Sequence, residues 1–405
     1  MSWARVKLKT LLSQQVQNGY SPVCPDKPNG KWVLGLGALS DFGLDATRIK
    51  PAPIDDSKVD NFLLSPGDFL VSRSNTRDKV GRSALFKGEV RNCSYPDLMM
   101  RFRANETDIY PEFLEMYLRS HEAVKYFQRS ASGTSGTMVK INKRVVENLQ
   151  VLLPPIPEQT AIADLLSTWD AAIEKTEKLI AAKQKRFSWL QNNLINSDSS
   201  HKGWRKTYLG EVAHITKKSA VDSVDGKTLL TVKLHCLGIE ANTRIKPKLT
   251  KRGRPYYIRN VGEFIVGRQN FHNGGFGVLP SGLDGHIASN AITSLLLDSD
   301  KLSSDFLFFY FSRTDYYKRI GHIMDGTGQK ELSDKQILKL PLYLPDIAIQ
   351  KIISETLNTT RQEIDLLKCL ADAYRKQKRG LMQKTLTGAW RIKPEIMNQP
   401  AEAAG

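Results

Sequence analysis

The chain has no run approaching the roughly eighteen apolar residues of a membrane-spanning helix. Its N-terminus, MSWARVKLKTLLSQQ, lacks the apolar core and cleavage site of a secretory leader, so a cytoplasmic protein with no membrane partner is expected. Cysteine is scarce: Cys24, Cys93, Cys236 and Cys369 lie far apart with no CxxC or CxxxH spacing. That argues against a disulfide framework or a zinc site and fits reduced thiols. The histidines at 121, 201, 214, 235, 272, 286 and 322 show no ligand spacing and read as surface or phosphate-side residues rather than metal ligands. There is no Walker A sequence, and no Asn-Pro-Pro-Tyr/Phe or Asp-Pro-Pro-Tyr tetrapeptide to hold a flipped base. Gly35-Leu36-Gly37 is half of a dinucleotide fingerprint without the third glycine, and reads as a tight turn beside a strand. Pro25-Asp26 followed by Asp56-Ser57-Lys58 has the form of a nuclease motif, but its second part sits beside Pro51 and Pro53 in a loop. The expectation is a binder, not an enzyme, with neither cofactor nor metal in this chain.

What the chain does have is positive charge, 59 Lys and Arg against 42 Asp and Glu in 405 residues. Residues 1–200 carry 27 basic and 22 acidic side chains, and residues 201–405 carry 32 and 20. A surplus in both halves suits a surface facing a polyanion, because each phosphate neutralised releases condensed counterions.

The chain also repeats itself. From Glu158 onward, Ile162, Leu166, Trp169, Ile173, Ile180, Phe187, Leu190 and Leu194 recur in steps of three and four, interrupted at Thr176 and Lys183. This is the heptad stripe of a helix that buries one narrow seam against another helix. Adding 191 to each position gives a weaker copy: Ile353, Leu357, Thr360, Ile364, Leu367, Ala371, Tyr374, Lys378, Leu381 and Thr385. Leu149, Pro154, Ile156 and Gln159 ahead of the first helix return as Leu340, Pro345, Ile347 and Gln350. Upstream, Trp3 and Leu8 answer Trp204 and Leu209, and Thr47 to Lys50 recurs unchanged as Thr243 to Lys246. Pro66 to Arg73 is echoed by Val261 to Arg268, and Phe113, Leu114 and Tyr117 by Phe306, Leu307 and Tyr310. An internal repeat of this order and regularity means one module present twice.

The fold expected is α+β: two similar domains of short strands and helices, joined by two long helices that pair as an antiparallel coiled coil with pseudo-twofold symmetry. The strands include Phe69 to Val71 and Phe264 to Val266; Pro111 to Phe127 and Ser304 to Ile320 read as amphipathic helices. Gly/Thr/Ser loops follow at Ser132 to Thr137 and Asp325 to Gln329, and Asn196 to Ser200 is a polar linker. The boundaries are residues 1–155, first domain; 156–198, first helix and linker; 199–346, second domain; 347–388, second helix; and 389–405, a tail frayed from 394. Each helix, at about 1.5 Å per residue, is too long to bury its seam in one small domain. Pairing within the chain is the natural solution, with dimerisation through the seam as the alternative.

Candidate DNA contacts are loops where base-reading side chains sit among cations. Arg73, Asn75, Arg77 and Lys79 follow the first strand; Arg268, Gln269, Asn270, His272 and Asn273 follow its counterpart. Arginine forks onto guanine and Asn or Gln onto adenine, so both loops are equipped for direct readout, with a solvated hairpin as the plain alternative. Lys251, Arg252, Arg254 and Tyr256 form a second candidate, able to ride on phosphates and stack, whereas the matching place in the first half, Pro51 to Asp56, is not basic. Lys140 and Lys330, beside the Gly/Thr loops, either reach a phosphate or cap a helix. The basic runs Lys183 to Arg186 and Arg375 to Arg379 read as solvated helix flanks.

With Leu152-Leu153-Pro154-Pro155-Ile156-Pro157-Glu158-Gln159 and Gly326 to Ser333 running into Leu340 to Pro345, the chain closely resembles the DNA-specificity subunits of Type I restriction-modification enzymes. The resemblance covers nearly the whole chain, although Pro345 to Gln350 lacks the usual Pro-Glu-Gln ending and the second seam is polar at Thr360, Lys378 and Thr385. It implies a non-catalytic subunit reading a bipartite site in double-stranded DNA, one half-site per domain, about one helical turn apart. It also implies two methyltransferase subunits that carry S-adenosylmethionine, and restriction subunits that join for cleavage. Two other readings stay open here: a specificity module of another DNA-modifying defence system, and a protein-binding coiled-coil scaffold whose basic charge is incidental.

Overall fold

The computed structural model describes residues 3–41, 43–133, 138–195, 203–250, 253–322, 324 and 331–392. The linker at 196–200, most of the first Gly/Thr loop, all of the second and the tail from 394 lie outside them. The chain forms two compact units, residues 1–176 with 370–405 and residues 177–369.

In the first unit a four-stranded antiparallel sheet has the spatial order Leu12–Asn18, Met99–Ala104, Asp68–Ser72, Ser83–Leu85. In the second unit the order is Ala213–Ile215, Ile292–Leu297, Phe264–Gly267, Phe276–Val278. Taken in chain order, both sheets read first, fourth, second, third, so the repeat is one of topology. Each central strand is entered through a glycine in the left-handed region, Gly67 at φ +93° and Gly262 at φ +83°, where a β-carbon would strain the turn. A buried carboxylate follows in each. Asp68 accepts from Arg103 Nε at 2.6 Å, and Glu263 is paired with Lys218 and accepts from Ser294 Oγ.

A smaller sheet lies beside each. In the first unit it is Cys93–Ser94, Trp32–Leu34 and Ile49–Pro51; in the second it has four strands, with Tyr256–Ile258 at one edge. A two-stranded ribbon, Ala4–Lys7 with Gln150–Leu153 or Arg205–Tyr208 with Pro341–Leu344, leads into each long helix. Gly35 to Gly37 is a turn after the Trp32–Leu34 strand, running into a short 3-10 helix, Leu36–Ala38.

The amphipathic segments differ from the sequence expectation. Each is two helices rather than one: Pro111–Leu118 and His121–Ser130, then Ser304–Phe311 and Thr314–Ile320. In the first unit the cause is local, because Ser120 in extended conformation caps a new helix by accepting from Ala123 N. The bounds correspond between units, with a uniform shift of 193 at both starts and at the end of the first helix.

The first core gathers Phe69, Phe102, Phe113, Leu114, Tyr117, Phe127, Val151, Ile162, Leu166 and Leu386; the second gathers Phe264, Phe271, Phe276, Phe306, Phe309, Phe311, Leu340, Ile353, Leu357 and Ile195. The long helices run Ile156–Leu194 and Ile347–Thr385, 39 residues each. All the seam residues, Ile162, Leu166, Trp169, Ile173, Ile180, Phe187, Leu190, Ile353, Leu357, Ile364, Leu367, Tyr374 and Leu381, are buried or half-buried. Within the first unit, Trp169 packs edge-on against Tyr374 at 5.6 Å between ring centres, and Lys378 Nζ lies 2.5 Å from Asp170 Oδ1. Within the second, Lys183 Nζ lies 2.6 Å from Glu363.

At the head of each long helix sits a fully buried glutamine. Gln159 Oε1 accepts from Tyr110 N at 2.7 Å while its amide donates to Pro154 O at 2.8 Å. Gln350 Oε1 accepts from Ser303 N at 3.0 Å, and its amide donates to Lys301 O and Pro345 O at 2.8 and 2.9 Å. Gln159→Leu or Gln350→Leu keeps the volume but strands these backbone groups away from water. Each is expected to cost about 3 kcal/mol in denaturant unfolding, where an exposed Gln→Leu change costs roughly nothing.

Burial of the Lys378 ammonium pulls its pKa below the ordinary 10.5 despite the Asp170 carboxylate. A lysine with a depressed folded pKa weakens the fold below that pKa and ceases to do so as pH rises toward 10.5. Asp170→Ala should therefore destabilise by about 2 kcal/mol at neutral pH and less at pH about 10. Lys378→Met should be neutral or stabilising at both, as when buried ion pairs are replaced by apolar side chains. Chemical denaturation at the two pH values distinguishes these outcomes.

Candidate nucleic-acid interface

Both candidate loops leave the central strand at an arginine whose backbone is bonded on both sides. Arg73 N donates to Leu98 O at 2.8 Å and Arg73 O accepts from Ile141 N at 2.9 Å; Arg268 N donates to Ala291 O and Arg268 O accepts from Leu332 N, both at 3.1 Å. The segment after each Gly/Thr loop is thus sewn to the segment after each central strand. In the first unit this brings Lys140 alongside the loop, since Val139–Lys140 pairs with Ser74–Asn75.

The side chains have separate fates. Arg77, Lys79 and Lys140 are exposed, Arg77 leaning on the helix carbonyl of Gln128 at 3.0 Å. Arg73 is half-buried and donates to Asp97 O at 3.1 Å. Asn75 corrects the expectation: it is buried, its Oδ1 accepting from Thr76 N at 2.9 Å, so in this conformation it shapes the loop and presents no edge to a base. The first loop therefore offers a cationic cluster with one acid in it, Asp78, whose carboxyl is held below its usual pKa, chiefly by the Thr76 hydroxyl.

The second loop is differently charged. The Arg268 guanidinium is paired with Glu331 and lies 3.8 Å from Asp334, and Gln269 donates to Glu331 Oε2 at 3.4 Å. Arg268 is thus not a free cation, a fact invisible in the sequence because its partners lie more than 60 residues away. Asn270 is exposed; His272 and Asn273 are half-buried in a short 3-10 turn. Arg254 is exposed and Tyr256 half-buried, on and beside the edge strand. Asn290 links that strand to the loop: its N–H donates to Pro255 O and its carbonyl accepts from Arg268 Nη1. Lys251, Arg252 and Lys330 lie outside the described residues.

One feature escaped the sequence. His235 and Cys236 are consecutive non-glycine residues in the left-handed region, at φ 59° and 58°. Their N–H groups donate to Asn273 O at 2.7 Å and Gly274 O at 2.9 Å, the far end of the second loop. Backbone strain of about 1 kcal/mol or more per residue is held there to fix the loop. Neither residue type signals such a turn. Among the described residues no group of three or more His, Cys, Asp or Glu is placed to hold a metal ion.

The arrangement is a pair of matched frames carrying unlike polar loops. The family model described as the Type I restriction modification DNA specificity domain matches residues 55–184 and 201–372. The chain belongs to this family. Its two specificity domains fall one in each half of the repeat. Among relatives, the MjaX type I restriction enzyme specificity subunit of Methanocaldococcus jannaschii is 22% identical over 96% of this chain and 94% of its own. The EcoKI specificity subunit of Escherichia coli is 25% identical over 55% of this chain and 46% of its own. The S subunit of a Type I restriction-modification system from M. genitalium shares the fold with a TM-score of 0.59 at 14% identity, covering 95% of this chain and 96% of that one. A chain from a study of complex assembly in the type I system has a TM-score of 0.58 at 16% identity over 96% and 98%. No helix among the described residues is long and apolar enough to cross a membrane.

The geometry separates exposed side chains from those built into the loop's fold. Arg77→Ala and Lys79→Ala should change stability by no more than about 0.5 kcal/mol. Each should lower the slope of log affinity against log salt for duplex DNA by about one. Asn75→Ala should instead cost about 1 to 2 kcal/mol of stability. Glu331→Gln, by releasing Arg268, should raise non-specific affinity and steepen the slope. Fluorescence anisotropy across a salt series, with unfolding measured in parallel, checks all four.

Proposed function

We infer that this chain is the sequence-reading, non-catalytic subunit of a DNA modification and restriction complex, working in the cytoplasm. Its recognition domains, residues 1–155 and 199–346, each read half of a bipartite target. Its long helices, residues 156–198 and 347–388, pair as an antiparallel coiled coil that sets the spacing between half-sites, with residues 389–405 as a tail. The observation that carries this reading is the duplicated frame with non-duplicated loops: one module read twice supplies two DNA contacts, and unlike side chains supply two different half-sites. The contacts Trp169–Tyr374 and Asp170–Lys378 in one unit, and Lys183–Glu363 in the other, support the helix pairing. Two methyltransferase subunits, carrying S-adenosylmethionine, would dock on this chain and methylate adenine within each half-site. Restriction subunits would join for cleavage.

The test is modified-base sequencing of genomic DNA from a host carrying this protein and its neighbouring modification subunit, against a host lacking only this protein. N6-methyladenine is expected in one bipartite motif present only with the protein. Exchanging residues 1–155 for those of a relative should then change one half of the motif and leave the other. If the complex assembles and no new methylated motif appears, the reading is wrong.

A further inference from the structure

The second unit buries a charged side chain that the first unit lacks. Arg313, between the two helices that follow the sheet, is 3% exposed. It donates to Ile195 O and Tyr310 O, and its guanidinium lies over the rings of Tyr310 and Tyr316 at 4.6 and 5.7 Å. Gln191 fills the adjoining space and donates to Phe309 O and Ser312 Oγ at 2.9 and 2.8 Å.

The matching place in the first unit follows from the two shifts of the repeat, 193 for the helix pair and 191 for the long helices. Tyr310 corresponds to Tyr117, Arg313 to Ser120, Tyr316 to Ala123, Gln191 to Met382 and Ile195 to Leu386. The tyrosine is kept while the arginine and the second tyrosine become small. A cavity of about 390 Å³ lies there, lined by Tyr117, Ser120, Met382 and Leu386, among others. Its floor is closed, with Tyr117, Ser120 and Leu386 all buried, and its rim, His121, Glu122, Gln383, Lys384 and Ala389, is exposed.

A second observation concerns the same cavity. Gly380, in its wall, lies well inside the second long helix, where glycine costs about 1 kcal/mol relative to alanine. A β-carbon added there would meet nothing within 4 Å, so no contact within the chain requires it. Its counterpart is Trp189. Trp189 is 63% exposed, and at Gly380 the rim of the cavity carries no such side chain.

We propose that this cavity receives an arginine side chain from a partner protein, replacing in trans the arginine that the second unit supplies from its own chain. Tyr117, in the cavity lining, keeps the ring that Tyr310 sets under Arg313, and Leu386 holds the place of the residue whose carbonyl accepts from it. Glu122 supplies a carboxylate at the rim, while Lys384, the rim's lysine, is turned onto the Trp390 ring at 4.0 Å. Lysine would fill the site less well, since an ammonium neither forks nor stacks as a guanidinium does. The proposal does not depend on the chain's reading of DNA.

The test uses the full chain and N-acetyl-arginine amide as probe, titrated by ligand-observed NMR against N-acetyl-lysine amide and free arginine. The arginine amide is expected to bind at least about fivefold tighter than the lysine amide. Binding should be lost in Ser120→Arg, which fills the cavity from within, and weakened in Gly380→Trp, which sets a large ring at the cavity's rim. Gly380→Trp lies on a helix surface and serves even where Ser120→Arg fails to fold. Absent binding, equal binding of the lysine amide, or binding unchanged in a folded variant would overturn the site. Tighter binding of free arginine than of its blocked amide would overturn the partner protein in favour of a small metabolite.

Discussion

One buried glutamine amide in each unit holds its fold to the long helix that leaves it. A glutamine sealed from water must satisfy both ends of its amide or cost several kcal/mol, and Gln159 and Gln350 satisfy theirs on backbone alone. The carbonyl takes the N–H at the entrance to the domain's own helix, and the amide closes the proline turn before the long helix. Since both partners are main chain, surrounding side chains are free to change. That accounts for the loss of the usual Pro-Glu-Gln ending at the second junction: Asp346-Ile347-Ala348-Ile349 replaces the consensus, and the glutamine remains in place. In the first unit the junction gains a further tie. Glu158, next to the glutamine, accepts from Trp3 Nε1 at 3.1 Å and is held by both Arg391 Nε and Nη2 at 2.7 Å, so the two ends of the chain meet on one carboxylate. Burial alone would raise the Glu158 pKa, but those donors hold it below the ordinary value.

The parts legible in the sequence were those whose cause is local or periodic. Heptad spacing located both long helices to within a few residues, and the echo of Phe113, Leu114 and Tyr117 in Phe306, Leu307 and Tyr310 aligned helices that prove to correspond with one uniform shift. Even there a local cap was missed: the hydrophobic pattern runs through Ser120, yet its backbone turns extended after the first helix and its hydroxyl caps the next. The candidate interface was legible as a place but not as a chemistry. Residue type marked the loops after Phe69 and Phe264, but the fate of Asn75 depends on a two-residue strand near position 139, and that of Arg268 on carboxylates at 331 and 334. No spacing rule connects such pairs.

The two copies diverge most where their interiors meet their surfaces. The second unit is built around aromatic rings packed edge to face, Phe271 on Phe311 and Phe276 on Phe308, and carries its buried arginine among them. The first has fewer rings at the same level and leaves a cavity. Equal frames with unequal interiors are what duplication followed by independent repacking produces, because cores tolerate exchange of apolar groups when total volume is kept. A cavity is the exception to that rule.

The same separation of frame from filling lets the loop after each central strand vary without unfolding its domain. Arg73 and Arg268 are each fixed through their own N–H and carbonyl, so the loop's path is set by main chain before any side chain is chosen. The charge beneath is settled separately, by Asp68 with Arg103 and by Glu263 with Lys218, inside the sheet and not at the loop. A substitution at 77 or 79 then changes what the surface offers without disturbing what holds it. Asn75 marks the limit of this freedom: where a polar side chain has been drawn into the frame, altering it alters the loop's shape and not merely one surface contact.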